Sequence, residues 1–286
     1  MQSFSNSLFA DAEASYEDAR YVIFGVPYDG TTSYKPGTRA APNAIRAISY
    51  NFEPFMPEYG IELTGVPFTD LGDIYPEVDP ETVAAQVEDT VSMILADGKV
   101  PVMLGGEHSI TIGAVRAAMP KWYVVCDAHL DFQEEYRGSR YNHDCVSARI
   151  HDLGIQNIII IGARSGSKEE FEAAARHRVY TADEVHDRGI AAILDEVKAA
   201  IGDDPIYLSI DADAVDSCLT PGLGTPDPFG ITHWDLRSII RALAPRAVAF
   251  DYVEVLPNDS EQTAAVAAKM IREFIGSREY GLLKRA

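Results

Sequence analysis

Short apolar segments of strand length alternate with amphipathic segments of helix length along the sequence, and this alternation constrains the fold most strongly. The apolar segments are rich in Val, Ile and Tyr at consecutive positions, as expected for strands that are covered on both faces. The pattern therefore predicts an α/β fold with a mostly parallel central sheet and helices on both of its faces. The predicted strands are Tyr21–Val26, Val100–Leu104, Trp122–Cys126, Asn157–Ile161, Ile206–Ile210 and Ala247–Asp251.

Several of the predicted helices begin with a recognisable start signal. Pro80 stands in the first turn of one helix, Ser167 precedes two glutamates, and Ser260 opens the C-terminal helix. No shift in composition and no Gly/Ser-rich linker divides the chain, so we expect a single domain over residues 1–286. The predicted helices are Pro80–Asp97, Lys168–His177, Ala191–Ile201, His233–Leu243 and Ser260–Phe274.

The formal net charge of −20, from 44 acidic and 24 basic residues, restricts the partners of the chain. Nucleic acids and anionic membranes are polyanions, so we expect neither as a partner, whereas a small cationic substrate would be attracted. The same charge also suits a protein that needs only solubility or a salty cytoplasm, and salt screens it beyond about 10 Å. Charge alone therefore decides little between a cationic ligand and simple solubility.

The sequence carries no sign of export or of membrane insertion. No apolar run has the length of a membrane span, and the N-terminal segment has neither the basic flank nor the apolar stretch of a signal peptide. The three cysteines, Cys126, Cys145 and Cys218, are odd in number and contain no CxxC pair. Free thiols in a reducing compartment explain them better than disulfides or a thiolate zinc site, so we expect a cytoplasmic protein.

Three predicted strands end in loops that carry aspartate or histidine. The loops read GGEHS (105–109), DAHLD (127–131) and DAD (211–213), and each follows the carboxyl end of its strand. In open parallel sheets the ligand site forms in such loops. Residues two apart face the same side of an extended backbone, so the acidic and histidine side chains of a loop are expected to converge.

The convergent side chains form an oxygen-rich set that suits Mn²⁺ or a similar divalent ion. The four aspartates supply four negative charges, which two divalent cations would cancel and one would not. The sequence therefore predicts a two-metal centre with ions about 3.5–4 Å apart. A single DxD or GGEH loop is often only a turn device, so the prediction rests on their occurrence together. The candidate ligands are His108, Asp127, His129, Asp131, Asp211 and Asp213.

The three loops also resemble, in order and spacing, the metal signatures of the arginase/agmatinase ureohydrolases. The matching segments are GGEHSIT (105–111), DAHLDF (127–132) and SIDADAVD (209–216), and the similarity extends from residue 25 to residue 257. The resemblance is greatest to agmatinases. It implies a three-layer α/β/α fold of the arginase/deacetylase type, two Mn²⁺ ions per chain, and a homotrimer or homohexamer.

The resemblance further implies two ligand sets that share Asp127 and Asp211 as bridging residues. These sets are His108, Asp127, Asp131 and Asp211 for one ion, and Asp127, His129, Asp211 and Asp213 for the other. The implied reaction is hydrolysis of a guanidinium compound to urea and an amine. A water shared by two Mn²⁺ ions is acidic enough to supply the hydroxide that this poor electrophile needs.

Two further residues acquire roles from the resemblance. His143 matches the family's loop histidine that gives a proton to the departing amine. Glu254 matches the glutamate that grips the substrate guanidinium, a pairing for which a carboxylate is geometrically apt. Without the resemblance, His143 would be interpreted as an ordinary surface residue, whereas the apolar segment before Glu254 already disfavours that interpretation for the glutamate.

The residues that would hold the head of the substrate differ from the arginase pattern, which favours a decarboxylated substrate, with agmatine first. Tyr141 stands where arginases have asparagine and Ser167 where they have aspartate, and both are candidate substrate contacts. Guanidinobutyrate and arginine remain alternatives with the same chemistry. The carboxylate of guanidinobutyrate would find Arg137 or Arg140 in the loop before His143.

Other classes of protein fit parts of the sequence. A catalytically silent metal-binding homologue is disfavoured, because the six candidate ligands, His143 and Glu254 are all present. An amide hydrolase like the related metal-dependent deacetylases would keep the fold but use fewer metals and a different ligand set. Cys145 near His143 suggests a nucleophilic pair, although the metal loops favour a packing role for this thiol.

Overall fold

Eight parallel strands form the central sheet of the computed structural model, which describes residues 8–284. A short antiparallel pair, β2 and β3, lies outside this sheet. The strands are β1 (Tyr21–Val26), β2 (Phe55–Met56), β3 (Ile61–Glu62), β4 (Phe68–Asp73), β5 (Val100–Gly105), β6 (Trp122–Cys126), β7 (Ile158–Ala163), β8 (Arg178–Thr181), β9 (Ile206–Asp211) and β10 (Ala247–Val253). Their order across the sheet is β4-β1-β5-β10-β9-β6-β7-β8.

Helices cover both faces of this sheet, so the predicted three-layer α/β/α arrangement is confirmed. The helices are α1 (Ala41–Ser49), α2 (Pro80–Ala96), α3 (Thr111–Ala118), α4 (Val146–Asp152), α5 (Lys168–Ala174), α6 (Ala182–Arg188), α7 (Ile190–Ile201), α8 (His233–Leu243) and α9 (Gln262–Leu283). One core packs α1, α7, α8 and α9 against the sheet, and the other packs α2, α3 and α4 against the opposite face.

Strand β6 shows how one segment serves both cores. Its side chains alternate between the faces, so that Val124 and Cys126 belong to one core, whereas Tyr123 and Val125 belong to the other. All four are buried. A strand covered in this way must be apolar at consecutive positions, which is the pattern that predicts it from sequence.

Most predicted elements are present, with ends that differ by a few residues. The strands at Tyr21–Val26 and Trp122–Cys126 and the helix at His233–Leu243 have the predicted bounds. Helix α5 ends three residues early, at Ala174, and α9 runs on to Leu283. The strands β4 and β8 and the helices α1, α3, α4 and α6 were not predicted.

The helix start signals act largely as expected. The carboxylate of Asp79 accepts a hydrogen bond from the N–H of Thr82 at 2.9 Å and caps α2. Ser167 forms a reciprocal capping box with Glu170 at the start of α5. Helix α9 is the exception, because it begins at Gln262, two residues after the predicted Ser260.

The helices and the terminal residues bear on the predicted location of the protein. None of the helices within residues 8–284 combines the length and the apolar character that a membrane crossing requires. The prediction that no signal peptide is present concerns in part residues 1–7, which lie outside the described residues.

Candidate metal centre and active site

Four neighbouring strands in the middle of the sheet present the candidate residues at their carboxyl ends. Across the sheet, β5 leads to His108, β10 to Glu254, β9 to Asp211 and Asp213, and β6 to residues 127–131. These strands are distant in sequence and become adjacent because β9 and β10 lie between β5 and β6. The convergence of the three loops is therefore a consequence of sheet topology.

Backbone N–H groups orient the aspartates within both acidic loops. Asp127 Oδ1 accepts a hydrogen bond from the N–H of His129 at 2.7 Å. Asp211 Oδ1 accepts one from the N–H of Asp213 at 2.9 Å. Both are Asx turns, in which a carboxylate bonds the backbone two residues on. These turns, and not the strand alternation expected from sequence, bring the side chains together, since residues 212–214 form a 3₁₀ turn.

The imidazole ring of His108 lies against three carboxylates. Its Nδ1 is 3.2 Å from Asp127 Oδ2, 3.1 Å from Asp131 Oδ2 and 3.4 Å from Asp211 Oδ2. None of these contacts has hydrogen-bond geometry, so this buried nitrogen has no hydrogen-bond partner within residues 8–284. Buried polar atoms are rarely left in this state, and a ring nitrogen that faces carboxylate oxygens is oriented as a metal ligand.

His129 forms a second group of contacts on the other side of Asp127. Its Nδ1 is 3.1 Å from Asp213 Oδ2 and 3.6 Å from Asp127 Oδ1. Potential ligand atoms lie within 4.8 Å of one another in two groups, which are His108, Asp127 and Asp211, and Asp127, His129 and Asp213. The two groups share Asp127, one of the two residues expected to bridge.

Protein groups alone supply too little positive charge to balance the aspartates of this cluster. In the described part of the chain, its only positive partners within 4.0 Å are the two histidines. Burial disfavours a charge on His129, but Asp213 and Asp127 outweigh it and raise the pKa to about 12. Burial and the charge of Asp127 raise the pKa of Asp131 to about 8. Such shifts arise when several acids compete for too few cations.

Divalent cations fit this donor set. Four carboxylates and two imidazoles are a ligand set suited to manganese-type ions, and two such ions carry the four positive charges that the aspartates need. Asp131 and both histidines would have to lose protons that their raised pKa values favour. Metal binding at this site should therefore release protons.

A cavity of about 80 Å³ opens onto the cluster. Its wall combines His108, His129 and Asp213 with the two predicted catalytic residues, His143 and Glu254. The other lining residues are Thr32, Ser33, Asp131, Tyr136, Asp144, Asp211, Gly224 and Thr225. The structure thus gathers both catalytic candidates and five of the six metal-ligand candidates around one space.

Glu254 reaches the cavity in an unusual backbone conformation. Its φ is 62°, in the left-handed region, and its N–H donates to the carbonyl of Gly106 at 2.8 Å. Its Oε1 accepts a hydrogen bond from the N–H of His108 at 2.8 Å. Burial and the charge of Glu107 raise its pKa to about 8. Non-glycine residues held in this region cost on the order of 1–3 kcal/mol and cluster at functional sites.

His143 lies in the turn that precedes α4. Its Nδ1 is 3.1 Å from Thr31 Oγ1, and its backbone N–H donates to the same oxygen at 3.1 Å. The ring of Tyr136 approaches it edge-on, with centroids 6.0 Å apart. Burial, followed by the charge of His129, lowers the pKa of His143 to about 4. The ring is therefore neutral near pH 7.

Two predicted substrate contacts, Tyr141 and Ser167, are not among the residues that line this cavity, and their role stays a prediction. The Oγ of Ser167 accepts a hydrogen bond from the N–H of Glu170 at 3.2 Å, as the N-cap of α5. The hydroxyl of Tyr141 accepts a hydrogen bond from Arg116 at 3.2 Å and lines a separate surface cavity. Arg140 lines that second cavity as well. None of these three residues lines the cavity at the metal cluster.

The thiol of Cys145 does not form a nucleophilic pair with His143. Its Sγ lies 3.9 Å from the carbonyl oxygen of Ser139 and is buried. Burial and the charge of Asp144 raise the pKa of this thiol to about 12. It remains protonated at neutral pH and packs, as the sequence favours.

The cavity also contains a carboxylate that the sequence analysis missed. Asp144 lines the cavity, and its side chain accepts no hydrogen bond and pairs with no cation among residues 8–284. Burial, followed by the charge of Glu170, raises its pKa to about 6. Its position beside His143 was the available signal. An isolated acid in a charged loop, however, is too common to be singled out.

A parallel α/β sheet with carboxylates and imidazoles gathered at its carboxyl edge is typical of metal-dependent enzymes of the α/β class. The chain belongs to the arginase family, whose family model matches residues 19–276. It is accordingly a hydrolase that acts on linear amidine C–N bonds.

Three relatives show how close this membership is. The chain is 40% identical to the N(1)-aminopropylagmatine ureohydrolase of Thermococcus kodakarensis, over 91% of each chain. It is 38% identical to the agmatinase of Pyrococcus horikoshii, over 91% of this chain and 92% of the relative. The crystal structure of the agmatine ureohydrolase of Thermoplasma volcanium superposes with a TM-score of 0.94 at 42% identity, over 99% of this chain and 98% of the other.

Proposed function

We propose that this protein hydrolyses agmatine to putrescine and urea with two Mn²⁺ ions per chain. The observation that carries the proposal is the orphaned Nδ1 of His108, which lies 3.1 to 3.4 Å from three carboxylate oxygens. A permanent protein cation is absent from this cluster within residues 8–284, so bound ions would supply the missing charge.

The ligand sets of the proposal follow the two groups that share Asp127. They are His108, Asp127, Asp131 and Asp211 for one ion, and Asp127, His129, Asp211 and Asp213 for the other. Two Mn²⁺ ions, when bound, would supply a Lewis acid and a hydroxide at neutral pH. The backbone N–H groups on Asp127 and Asp211 hold these carboxylates in position, which lowers the cost of assembling the site.

Glu254 and His143 would act on the substrate from the cavity wall. A carboxylate and a guanidinium match as a two-point contact, and the bond from the His108 N–H fixes the orientation of Glu254. The neutral ring of His143 would take up the proton that the attacking water releases and deliver it to the departing nitrogen. This delivery is needed because the nitrogen would otherwise have to leave as an amide anion, which is a very poor leaving group.

Asp144 supports agmatine over substrates that end in a carboxylate. Its unpaired carboxylate in the cavity wall offers a partner for the distal ammonium of agmatine. The same carboxylate would repel the acid group of guanidinobutyrate or arginine. The two arginines considered for such a group differ in position, since Arg140 lies in another cavity and Arg137 donates to the carbonyl of Ser33.

The substrate panel tests this proposal. Urea release from the Mn²⁺-loaded protein is measured in parallel with agmatine, N(1)-aminopropylagmatine, guanidinobutyrate and arginine. We expect the highest kcat/KM for agmatine. No release from any of the four would overturn the proposal and favour a catalytically silent homologue.

N(1)-aminopropylagmatine is a second candidate because the relative from Thermococcus kodakarensis is named for it. It keeps the guanidinium and extends the cationic tail. A clear preference for it in the panel would retain the chemistry and replace the substrate.

The contribution of Asp144 is tested with Asp144→Asn. We expect KM for agmatine to rise by about tenfold or more with little change in kcat, because a charge-assisted contact is lost. Glu135→Gln is the matched control, since Glu135 is exposed in the same region and does not line the cavity. An equal effect of the two variants would show that only the general charge of the loop matters.

We also propose that the protein is a homotrimer or homohexamer in the cytoplasm. The assembly follows from the family resemblance, and the compartment from the three cysteines, none of which is in a disulfide. Analytical ultracentrifugation of the purified protein tests the assembly, and a monomer would contradict it.

A further inference from the structure

A fully buried carboxylate, Glu107, lies behind the cavity and takes no part in the proposed ligand sets. Its Oε2 accepts a hydrogen bond from the N–H of Thr31 at 2.7 Å. Its Oε1 accepts bonds from the hydroxyls of Thr31 at 2.6 Å and Ser109 at 2.5 Å. With the hydroxyl of Thr32, which lies 3.5 Å from Oε2, four donors are thus directed at one carboxylate.

The hydroxyl of Thr31 lies between this carboxylate and His143. The same Oγ1 that donates to Glu107 is 3.1 Å from Nδ1 of His143. It also accepts the backbone N–H of His143 at 3.1 Å. Thr31 therefore joins the loop after β1 to the turn before α4, through two contacts to His143.

The proton count fixes the direction of these bonds. A hydroxyl has one proton, and the short contact to Glu107 assigns it to the carboxylate. The oxygen of Thr31 is then an acceptor toward His143, so Nδ1 of the ring must carry the hydrogen. In the neutral ring the other nitrogen, Nε2, is left as the basic position.

We propose that Thr31 is a positioning residue that, held by Glu107, fixes the orientation and the tautomer of His143. The proposal rests on the proposed role of His143 in proton transfer. Glu107 and Thr31 would act as a carboxylate and hydroxyl pair behind the imidazole, and neither would touch the substrate.

The loops that carry this pair are held together by direct backbone contact. The N–H of Glu107 donates to the carbonyl of Tyr28 at 2.8 Å. A Cβ at Gly106 would lie 1.9 Å from that same carbonyl oxygen, so only glycine permits the approach. Thr31 is therefore placed by a rigid junction and not by a mobile loop.

The test compares Thr31→Val with Thr31→Ser. Valine keeps the shape of threonine without the hydroxyl, so we expect kcat to fall by about 10–100-fold while KM and manganese content stay near wild type. Serine restores the hydroxyl, so we expect most of kcat to return. Equal losses in the two variants, or a loss expressed in KM, would overturn the proposal.

Ser109→Ala is the matched control for Glu107. It also removes a hydroxyl donor from Oε1 of Glu107, but Ser109 makes no hydrogen bond to His143. We expect a far smaller loss of kcat than in Thr31→Val. A loss of the same size would mean that the effect comes from the unsatisfied carboxylate and not from His143.

A double variant distinguishes an effect of Thr31 through His143 from a general structural effect of the substitution. If Thr31 acts through His143, then Thr31→Val should cause no further loss in a His143→Asn background. An additional loss of tenfold in that background would overturn the proposal.

A spectroscopic measurement does not depend on turnover. The ¹⁵N shifts of the His143 ring, in protein loaded with diamagnetic Mg²⁺, should report hydrogen on Nδ1 in the wild type and a mixture of tautomers in Thr31→Val. The same tautomer in both proteins would refute the proposed positioning of His143 by Thr31, even if no guanidine were hydrolysed. A failed substrate panel would instead contradict the proposed activity, so the two failures can be told apart.

Discussion

Two clusters of aspartates in this protein are neutralised in different ways. At the edge strand β4, Asp70 accepts hydrogen bonds from Nε and Nη2 of Arg46 at 2.8 and 2.9 Å. Asp73 pairs with the same guanidinium. At the carboxyl edge of β6 and β9, four aspartates converge, and their only positive partners in the described residues are His108 and His129.

The difference separates a structural use of buried carboxylates from a metal-binding use. The side chain of Arg46 is only 1% exposed, and a guanidinium does not lose its proton, so its charge is permanent. An imidazole can lose its proton, and a cluster balanced by imidazoles can exchange protons for divalent ions. In this molecule the nature of the cation, more than the number of acids, distinguishes the two regions.

The largest expected effect comes from Asp127→Asn in the second region. Asp127 belongs to both candidate ligand groups, and the amide keeps the size of the side chain while removing its charge. Manganese content should fall toward zero, and urea release should fall by more than about 10²-fold, since even residues behind the ligands cost 10–100-fold. Elemental analysis and urea assay measure the two effects.

The same change in the first region is the control. Asp70→Asn should leave the manganese content of the folded protein unchanged, because Arg46 is not exchanged for a metal. Normal manganese in Asp127→Asn, or manganese loss in Asp70→Asn, would remove the distinction between the regions.

The second prediction concerns stability. Asp70→Asn leaves the guanidinium of Arg46 buried with one carboxylate fewer, so the free energy of unfolding should fall by about 3–5 kcal/mol. Asp127→Asn removes one of several mutually repelling acids, so metal-depleted protein should lose much less. Denaturant unfolding of both variants after chelation checks this. Equal losses would contradict the comparison.

The first region also shows why parts of the fold were not predictable. Strand β4 reads FTDLGD, and its Asp70 can be buried because Arg46 reaches it from α1. A pairing that distant leaves no trace in local periodicity. The strands β5 and β7 need no such partner, since both of their faces meet apolar side chains and their sequences are apolar throughout.

Helix α9 was mispredicted at both ends for related reasons. Asp259, not Ser260, accepts the first N–H, from Thr263 at 3.0 Å. The helix continues past Phe274 through Gly276, although glycine disfavours helix. A Cβ at Gly276 would lie 2.5 Å from the sulfur of Met56, so the glycine serves close packing that no local pattern reveals.

The metal cluster was predictable because loop spacing and sheet topology bring its members together. The residues around it were not. Tyr141 and Ser167 follow from alignment to a pattern, yet local bonds to Arg116 and Glu170 direct them away from the cavity. Asp144 faces the cavity without belonging to any motif. Loop paths decide these positions, and spacing alone does not encode them.

The buried carboxylate of Asp251 is held in a third way, by hydroxyl groups, and differs from both the Arg46-paired aspartates and the metal cluster. Asp251 is fully buried and accepts hydrogen bonds from the hydroxyls of Tyr207 and Ser209, each at 2.6 Å, and of Thr111 at 2.8 Å. Ser209 Oγ is in turn 3.2 Å from Nε2 of His108. With its proton on Asp251, the serine oxygen accepts from Nε2–H, which leaves Nδ1 of His108 free as a ligand.

The smallest predicted effect therefore comes from Ser209→Ala. Manganese affinity should fall by about tenfold, which is the low end of the range for a residue that orients a metal ligand. The effect is small because the hydroxyl of Tyr123 lies 3.3 Å from Nε2 of His108 and can also hold the ring. Tyr207→Phe is the matched control, since it removes a donor from Asp251 without contacting His108. Competition with a metal-binding dye measures both affinities. If the two variants lost affinity equally, the charge of Asp251 would be the cause, and the orientation of His108 by Ser209 would not.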